Sequence, residues 1–259
     1  NQRTDPLYAR AREIVQSGKL GEPKRLNWMI TNWYRTQAYY DSGDWRATWN
    51  GEGGGVLLNQ APHNLDLWQW IFGMPKRLRA FCQEGKWHRI GVEDEATLYA
   101  EYENGATAVF ITTTNRLEIS GDRGKLTLEE GRLRWWRLEQ PERELCFQSK
   151  DCWLKPKAHL EEFTASGVDG HGEILRNFAR AILWGEPLLA PGEEGIRSLM
   201  LSNGAYLSSW TDDWVELPVD EERFEALLRR RQAEGTARKT TIRREAPPEE
   251  YNQRWRVQW

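Results

Sequence analysis

The stretch from residue 95 to 138 constrains the fold most. "EATLYAEY" and "ATAVFITTT" flank "ENG", and "RLEIS", "KLTLE" and "RLRWWRLE" follow, separated by "GDRG" and "EEG". Apolar and polar residues alternate in these segments with the period of two that puts one face of a strand on a core. Asn104-Gly105 can supply the positive φ angles of a tight hairpin turn. Five or six consecutive antiparallel strands are therefore predicted. Such a sheet buries one face under helices and can offer the other to a partner.

The flanking segments supply the cover. Asp5-Pro6 before "LYARAREIVQSGKLG" predicts a helix over 6–17, with Gly18 or Gly21 as its stop. "PKRLNWMITNW" alternates Leu26, Trp28 and Ile30 with Asn27, Met29 and Thr31, the pattern of a half-buried strand. Residues 33–52 show no period and are rich in aromatics, Asp, Ser and Gly; a loop of that length is either functional or disordered. A helix over 59–72 and a strand over 76–84 follow. Further helices are predicted over 172–185, 193–210 and 220–235, the first with Ile174, Phe178, Ala181 and Ile182 on one stripe. Residues 139–167 carry few cues, and no internal repeat is visible. The last 24 residues, polar with Trp255 and Trp259 near the end, read as a loosely ordered tail or as an arm that docks on a neighbour.

Composition narrows the function classes. The 36 Lys and Arg against 39 Asp and Glu leave a net charge of -3, so no global positive field points to nucleic acid or a membrane surface. "RRRQ" and "RKTTIRRE" are offset by Glu221, Glu222, Glu225, Glu245, Glu249 and Glu250. Cys82, Cys146 and Cys152 are odd in number with no CxxC pair, which fits a reducing, cytoplasmic setting. No apolar run approaches the roughly 18 residues of a membrane span. His63, His88, His159 and His171 show no HExxH or other ligand spacing, so no metal is expected. The 15 tryptophans can line a core, an interface or a sugar cleft.

One segment carries chemistry-bearing side chains at helical spacing: "GGGVLLNQAPHNLDLWQWIFG", residues 53–73. On a single helix Asn59, His63, Asp66 and Trp70 share one seam, while Leu58, Ala61, Leu65, Trp68 and Phe72 form the core stripe. The seam would then face a cleft. Gly53, Gly54 and Gly55 permit a sharp turn, or close approach by a ligand or another chain. Spacing alone leaves His63 open between a hydrogen-bonded structural residue and an acid–base group.

Five blocks in order resemble one known family: "NQRTDPLYARAREIVQSGKLGEPKRLNW", "WRATWNGEGGGVLLNQAPHNLDLWQWIFG", "VEDEATLYAEYENGATAVF", "EISGDRGKLTLEEGRLRW" and "HGEILRNFARAILWGEPLLAPGEEGIRSLMLSNGAYLSS". They are similar to the carboxy-terminal two-thirds of the glucose-fructose oxidoreductase and inositol dehydrogenase (Gfo/Idh/MocA) family. The resemblance implies an α+β fold, an open-faced and predominantly antiparallel sheet flanked by helices, like the carboxy-terminal domain of dihydrodipicolinate reductase. It also implies association through the sheet face as a homodimer or homotetramer, and a sugar, cyclitol or related polyol whose carbinol is oxidised or reduced with NAD or NADP. That cofactor is held mainly by an amino-terminal Rossmann domain. No GxGxxG occurs in this chain, and the family's Glu-Lys-Pro motif is absent. Residues 1–5 are accordingly expected as a remnant of the last Rossmann strand, 6–235 as the substrate-binding and oligomerisation domain, and 236–259 as a tail or arm. The chain alone is expected to be inactive.

Family members carry an acid, three intervening residues and a histidine at this seam. Here the histidine is His63, but the acid position is Asn59. The resemblance makes His63 the proton acceptor, a role suited to an imidazole with a reference pKa of about 6.5. Asn59 cannot take a proton and is assigned to orientation. Arg46, in "DWR", matches a position where members often place an arginine near the active site, and Trp45, Trp49, Tyr34 and Arg35 are expected to line the substrate cleft with it. The competing reading is a non-catalytic carbohydrate-binding or scaffolding domain derived from the family, favoured by the tryptophans, the Asn59 departure and the missing nucleotide motif.

Overall fold

A computed structural model describes residues 1–30, 35, 37–112, 116–148, 156–165, 167 and 169–235. Helix α1, Pro6–Gln16, starts where the Asp5 carboxylate accepts from the Leu7 amide at 2.7 Å, with Pro6 in the first position. It buries Leu7, Ala11 and Ile14. Strand β1, Pro23–Met29, buries Leu26 and Trp28 completely. Then come β2 (Arg77–Glu84), β3 (Glu93–Glu101), β4 (Thr107–Ile111), β5 (Arg116–Gly121), β6 (Gly124–Glu129) and β7 (Arg132–Leu138). The poorly cued region contributes β8, Ala158–Thr164, and Val215–Glu216 forms a short β9.

These strands make one sheet in the order β8-β7-β6-β5-β1-β4-β3-β2-β9. Every pair is antiparallel except β1 with β4, so β1 lies between two strands that are consecutive in sequence. Alternation within a segment sets which face is buried but says nothing of which strand sits beside it, and the simple meander gives way there. The register lines up the buried face. Trp28 lies opposite Phe110, which lies opposite Leu98, while Leu26, Ile119, Leu126 and Trp135 form a second apolar row. The other face carries Asn27, Val109, Tyr99 and Arg79 and leaves Phe81 and Leu160 exposed. A one-residue slip would exchange the two faces.

The helices are α2 (Gln37–Tyr40), α3 (Val56–Asn59), α4 (Pro62–Phe72), α5 (Glu142–Gln148), α6 (Gly170–Trp184), α7 (Gly195–Thr211) and α8 (Glu221–Glu234). Helices α1, α4 and α7 cover the apolar face, with α4 packed against both others. The single helix expected over 59–72 is two, because Pro62 has no amide to continue the ladder and the chain turns at Gln60 and Ala61. In the β3–β4 hairpin only Gly105 takes a positive φ, +81°, and the Asn104 side chain instead accepts from the Ala106 amide. Residues Gln2–Thr4 form a 3-10 turn rather than the end of a strand.

Helix α6 departs from the core stripe read from its periodicity. Phe178 is 55% exposed and Ile182 69%, and Leu175 and Leu183 beside them are similarly open. The helix is amphipathic with its apolar side uncovered. Residues 236–259 and Tyr34 lie outside the described residues.

Candidate functional site

Gly53 takes a φ of +80°, and the other two glycines are explained by Tyr206 and Glu93. The Glu93 carboxylate is fully buried and accepts from the Gly55 amide at 3.0 and 2.9 Å, from the Leu57 amide at 3.0 Å and from the Tyr206 hydroxyl at 2.8 Å. It thus satisfies orphan donors at the amino end of α3. A Cβ on Gly54 would lie 2.3 Å from the Tyr206 hydroxyl, and one on Gly55 would lie 1.8 Å from the Glu93 carbonyl oxygen. The close approach is therefore made by the chain's own Glu93 and Tyr206, and the ligand approach read from the glycines is corrected. Burial pushes the Glu93 pKa up to about 7, against the lowering effect of the Leu57, Tyr206 and Gly55 hydrogen bonds. A register shift opposite Gln83 and Glu84 turns this carboxylate inward.

The seam does not survive as one face. Asp66 holds Arg3 through two hydrogen bonds, 2.8 Å to Nε and 2.6 Å to Nη2. Arg3 is almost fully buried, also pairs with Glu194, and lies 5.4 Å from the Trp70 ring. Trp70 is itself buried, with Arg12 over it at 4.7 Å. Asp66 and Trp70 thus fasten the first residues of the chain to α4.

Asn59 and His63 fall on different helices. Asn59, at the end of α3, accepts from the Tyr39 hydroxyl at 3.0 Å through Oδ1 and donates from Nδ2 to the Glu52 carboxylate. Glu52 also accepts from the Ala47 amide at 2.8 Å, and Arg46 Nη1 donates to the Tyr39 hydroxyl at 2.9 Å. The direction of this chain is fixed at both ends: Arg46 can only donate and the Glu52 carboxylate only accepts, so the hydroxyl proton of Tyr39 must point to Asn59. The Arg46 guanidinium lies 4.5 Å from the Tyr39 ring centroid and 4.4 Å from that of Trp45, which is 52% exposed, and the Arg35 guanidinium lies 5.1 Å from the Tyr39 ring. The structure therefore brings Asn59, Arg46, Trp45 and Arg35 together around Tyr39. Trp49 does not join them; it is core, packed edge-on against Tyr206 and Trp210.

His63 stands exposed in the first turn of α4. Its pKa is held below the usual imidazole value, chiefly by partial desolvation among the neighbouring atoms; Asp66 opposes the shift and His171 adds to it. Asn1 in turn meets His171 at 3.3 Å, Asn1 Nδ2 to His171 Nε2. His63 therefore faces the start of α6 and Asn59 faces the 39–52 loop, and among the described residues no hydrogen bond joins the two.

Tyr39 and Glu52 of this region were not singled out in the sequence, and His88 was weighed there only as a metal ligand. His88 Nδ1 lies 3.0 Å from Asp94 and Nε2 lies 3.0 Å from the Arg35 carbonyl oxygen, which ties the loop to the β2–β3 connection. The aromatic-rich loop was the signal for Tyr39, but nothing in a spacing marks which of its residues converge. A concavity of about 520 Å³, bordered by Arg3, Asn177, Arg180 and Leu189, lies on the α6 side instead, and neither Asn59 nor Arg46 lines it. Among the described residues no cluster of His, Cys, Asp and Glu could hold a metal ion, and no helix is long and apolar enough to cross a membrane.

The open, mostly antiparallel sheet covered by helices on one side is the fold of a carboxy-terminal domain of one oxidoreductase family. The description GFO/IDH/MocA C-terminal domain matches residues 8–140, and the chain belongs to the Gfo/Idh/MocA family. It is 22% identical over 219 residues to the uncharacterized oxidoreductase YrbE of Bacillus subtilis (strain 168), covering 80% of this chain and 59% of that protein. The WlbA dehydrogenase of Bordetella pertussis, solved in complex with NADH and UDP-GlcNAcA, superposes with a TM-score of 0.68 at 21% identity over 85% of this chain and 62% of its own. An aldose-aldose oxidoreductase of Caulobacter crescentus, solved with glycerol, gives 0.63 at 20% identity over 83% and 62%. The chain thus spans less than two-thirds of the length of these relatives, and the structural likenesses bear on the fold.

Proposed function

We propose that this chain is the substrate-binding and oligomerisation domain of an NAD- or NADP-dependent oxidoreductase that acts on a carbinol of a sugar, cyclitol or related polyol, with His63 as proton acceptor. The observation that carries the reading is His63 itself, an exposed imidazole with a depressed pKa in the first turn of α4, within a domain of this family. Oxidising a carbinol sends a hydride to the nicotinamide and leaves a hydroxyl proton to be taken up. A neutral imidazole offers a lone pair for that proton near pH 7. Asn59 takes no proton; with one amide hydrogen on Glu52 and Oδ1 on Tyr39, it keeps a second amide hydrogen for a substrate hydroxyl.

Gly54 and Gly55 offer no cradle to a dinucleotide, since the space beside them is filled by Tyr206 and Glu93. In this reading the cofactor is held by a segment other than these residues, and the domain alone is inactive. The uncovered apolar side of α6, beside Asn1 and His171, supports a domain docked there and within reach of His63. NADH and a nucleotide sugar in the WlbA complex support the cofactor and substrate classes. Self-association runs through the open sheet face, around Phe81 and Leu160. Free thiols at Cys82 and Cys146 support a cytoplasmic setting. The second reading, a non-catalytic carbohydrate-binding or scaffolding domain, is favoured by Asn59, whose amide stands at the family's acid position and is engaged by Tyr39 and Glu52.

The test is His63→Ala, assayed on sugars and polyols in a protein that carries this domain together with a nucleotide-binding domain. The proposal expects kcat/KM to fall by about a hundredfold or more. It also expects the wild-type acid limb to lie below pH of about 6.5, rising as His63 loses its proton, and to vanish in the variant. Unchanged turnover would remove His63 from the chemistry.

A further inference from the structure

The cluster around Tyr39 is built on the Arg46 guanidinium. Arg46 is half-buried between the rings of Tyr39 and Trp45, and its Nη1 is spent on the Tyr39 hydroxyl. Among the described residues no carboxylate forms an ion pair with it. Glu52 is the acid of this network, and its two oxygens are taken by the Asn59 amide and the Ala47 N–H. Arg35 brings a second guanidinium to the same tyrosine ring, and its backbone carbonyl is anchored by His88, which Asp94 orients.

We propose that Arg46 is the anchor of an oxyanion subsite, so that the sugar taken by this domain carries an acidic substituent, a carboxylate or a phosphate. The inference rests on the sugar or polyol reading above and narrows its substrate class. Three features of the geometry support it. The guanidinium retains a free planar edge, from Nε to Nη2, of the shape that binds an oxyanion with two parallel hydrogen bonds. The exposed Trp45 ring beside it offers the flat apolar surface on which a pyranose stacks. The hydrogen-bond chain from Arg46 through Tyr39 and Asn59 to Glu52 holds the arginine rigidly against the residue assigned to orient the substrate hydroxyl, so anion and carbinol would be read by one connected unit. Because the charge is fixed in the fold, its entropic cost of ordering falls on folding rather than on binding.

The experiment is a calorimetric titration of this chain with D-glucose, D-glucuronate, D-glucose 6-phosphate and inorganic phosphate, repeated for Arg46→Gln, Arg46→Lys and Trp45→Ala, with melting temperatures to verify that each variant is folded. An acidic sugar is expected to bind about tenfold more tightly than glucose, through the charge-assisted bidentate contact. Arg46→Gln should erase that preference, Arg46→Lys should keep part of it, and Trp45→Ala should weaken all three sugars together. The preference should also shrink in high salt. The two acidic sugars separate a carboxylate-reading site from a phosphate-reading one. Glucose binding as well as both acidic sugars would overturn the anion subsite while leaving the sugar reading intact, as would a preference that survives Arg46→Gln. Inorganic phosphate matching the acidic sugars would also overturn it, by showing an ion site without a sugar. Failure of all three sugars to bind would overturn the subsite and the substrate-domain reading together.

Discussion

Glu93 makes a prediction whose size follows from the structure. The side chain is fully buried, and burial raises its pKa from the ordinary 4.5 to about 7. A carboxyl that holds its proton more tightly in the folded state than in the unfolded state stabilises the fold below the unfolded pKa. That contribution is lost as pH rises toward the folded pKa, so the window is about pH 4.5 to 7. At about 1.4 kcal/mol per unit, the shift corresponds to roughly 3 kcal/mol. Other carboxyls, such as Glu95 beside Lys86 and Trp87, move the opposite way, so the measurement must be a difference. Urea unfolding of the wild type and of Glu93→Gln across pH 4 to 8 isolates it. The wild type should lose about 3 kcal/mol relative to Glu93→Gln over the window and run parallel to it above about pH 7. Glu93→Ala should cost about 3 kcal/mol or more, because the Gly55 and Leu57 amides and the Tyr206 hydroxyl all lose their acceptor and each orphan donor is worth at least about 1 kcal/mol. A pH-independent difference between wild type and Glu93→Gln, or a Glu93→Ala loss under about 1 kcal/mol, would refute the buried acceptor.

Arg3→Ala should destabilise the domain by about 2–4 kcal/mol in thermal or urea unfolding, since it strands Asp66 and Glu194, whose partial exposure lowers the cost from that of a fully buried pair. Sedimentation of the chain at micromolar concentration should show a dimer or tetramer, and a charge placed at Phe81 on the open sheet face should shift it toward monomer; a strict wild-type monomer would count against that face as an interface.

The elements were legible where local pattern carries them. Alternation in β3 to β7 and the Asp5-Pro6 start of α1 are written in neighbouring residues, and the structure follows them. The placement of β1 between β4 and β5 was not legible, because a strand's partners are chosen by the whole sheet. The break at Pro62 could have been read, since a proline inside a helical pattern ends it at the residue before, and missing it made one seam out of two helices. Phe178 and Ile182 were legible as an apolar stripe, but periodicity cannot say what covers a stripe. Helical spacing drew attention to His63 and Asn59 and the family resemblance to Arg46, whereas Tyr39 and Glu52 emerged only once the loop was folded over α3. Glu93 escaped because a register shift turns inward a charged residue that alternation would have left outside.

If these residues form the substrate side of a catalytic unit and the dinucleotide is held elsewhere, the chain alone should bind no nicotinamide cofactor. Titrating the chain with NADH and then NADPH, following tryptophan quenching and energy transfer to the reduced nicotinamide, tests it most directly. No saturable binding at micromolar concentrations is the predicted result; tight saturable binding of either cofactor would contradict it, by revealing a nucleotide site within this chain.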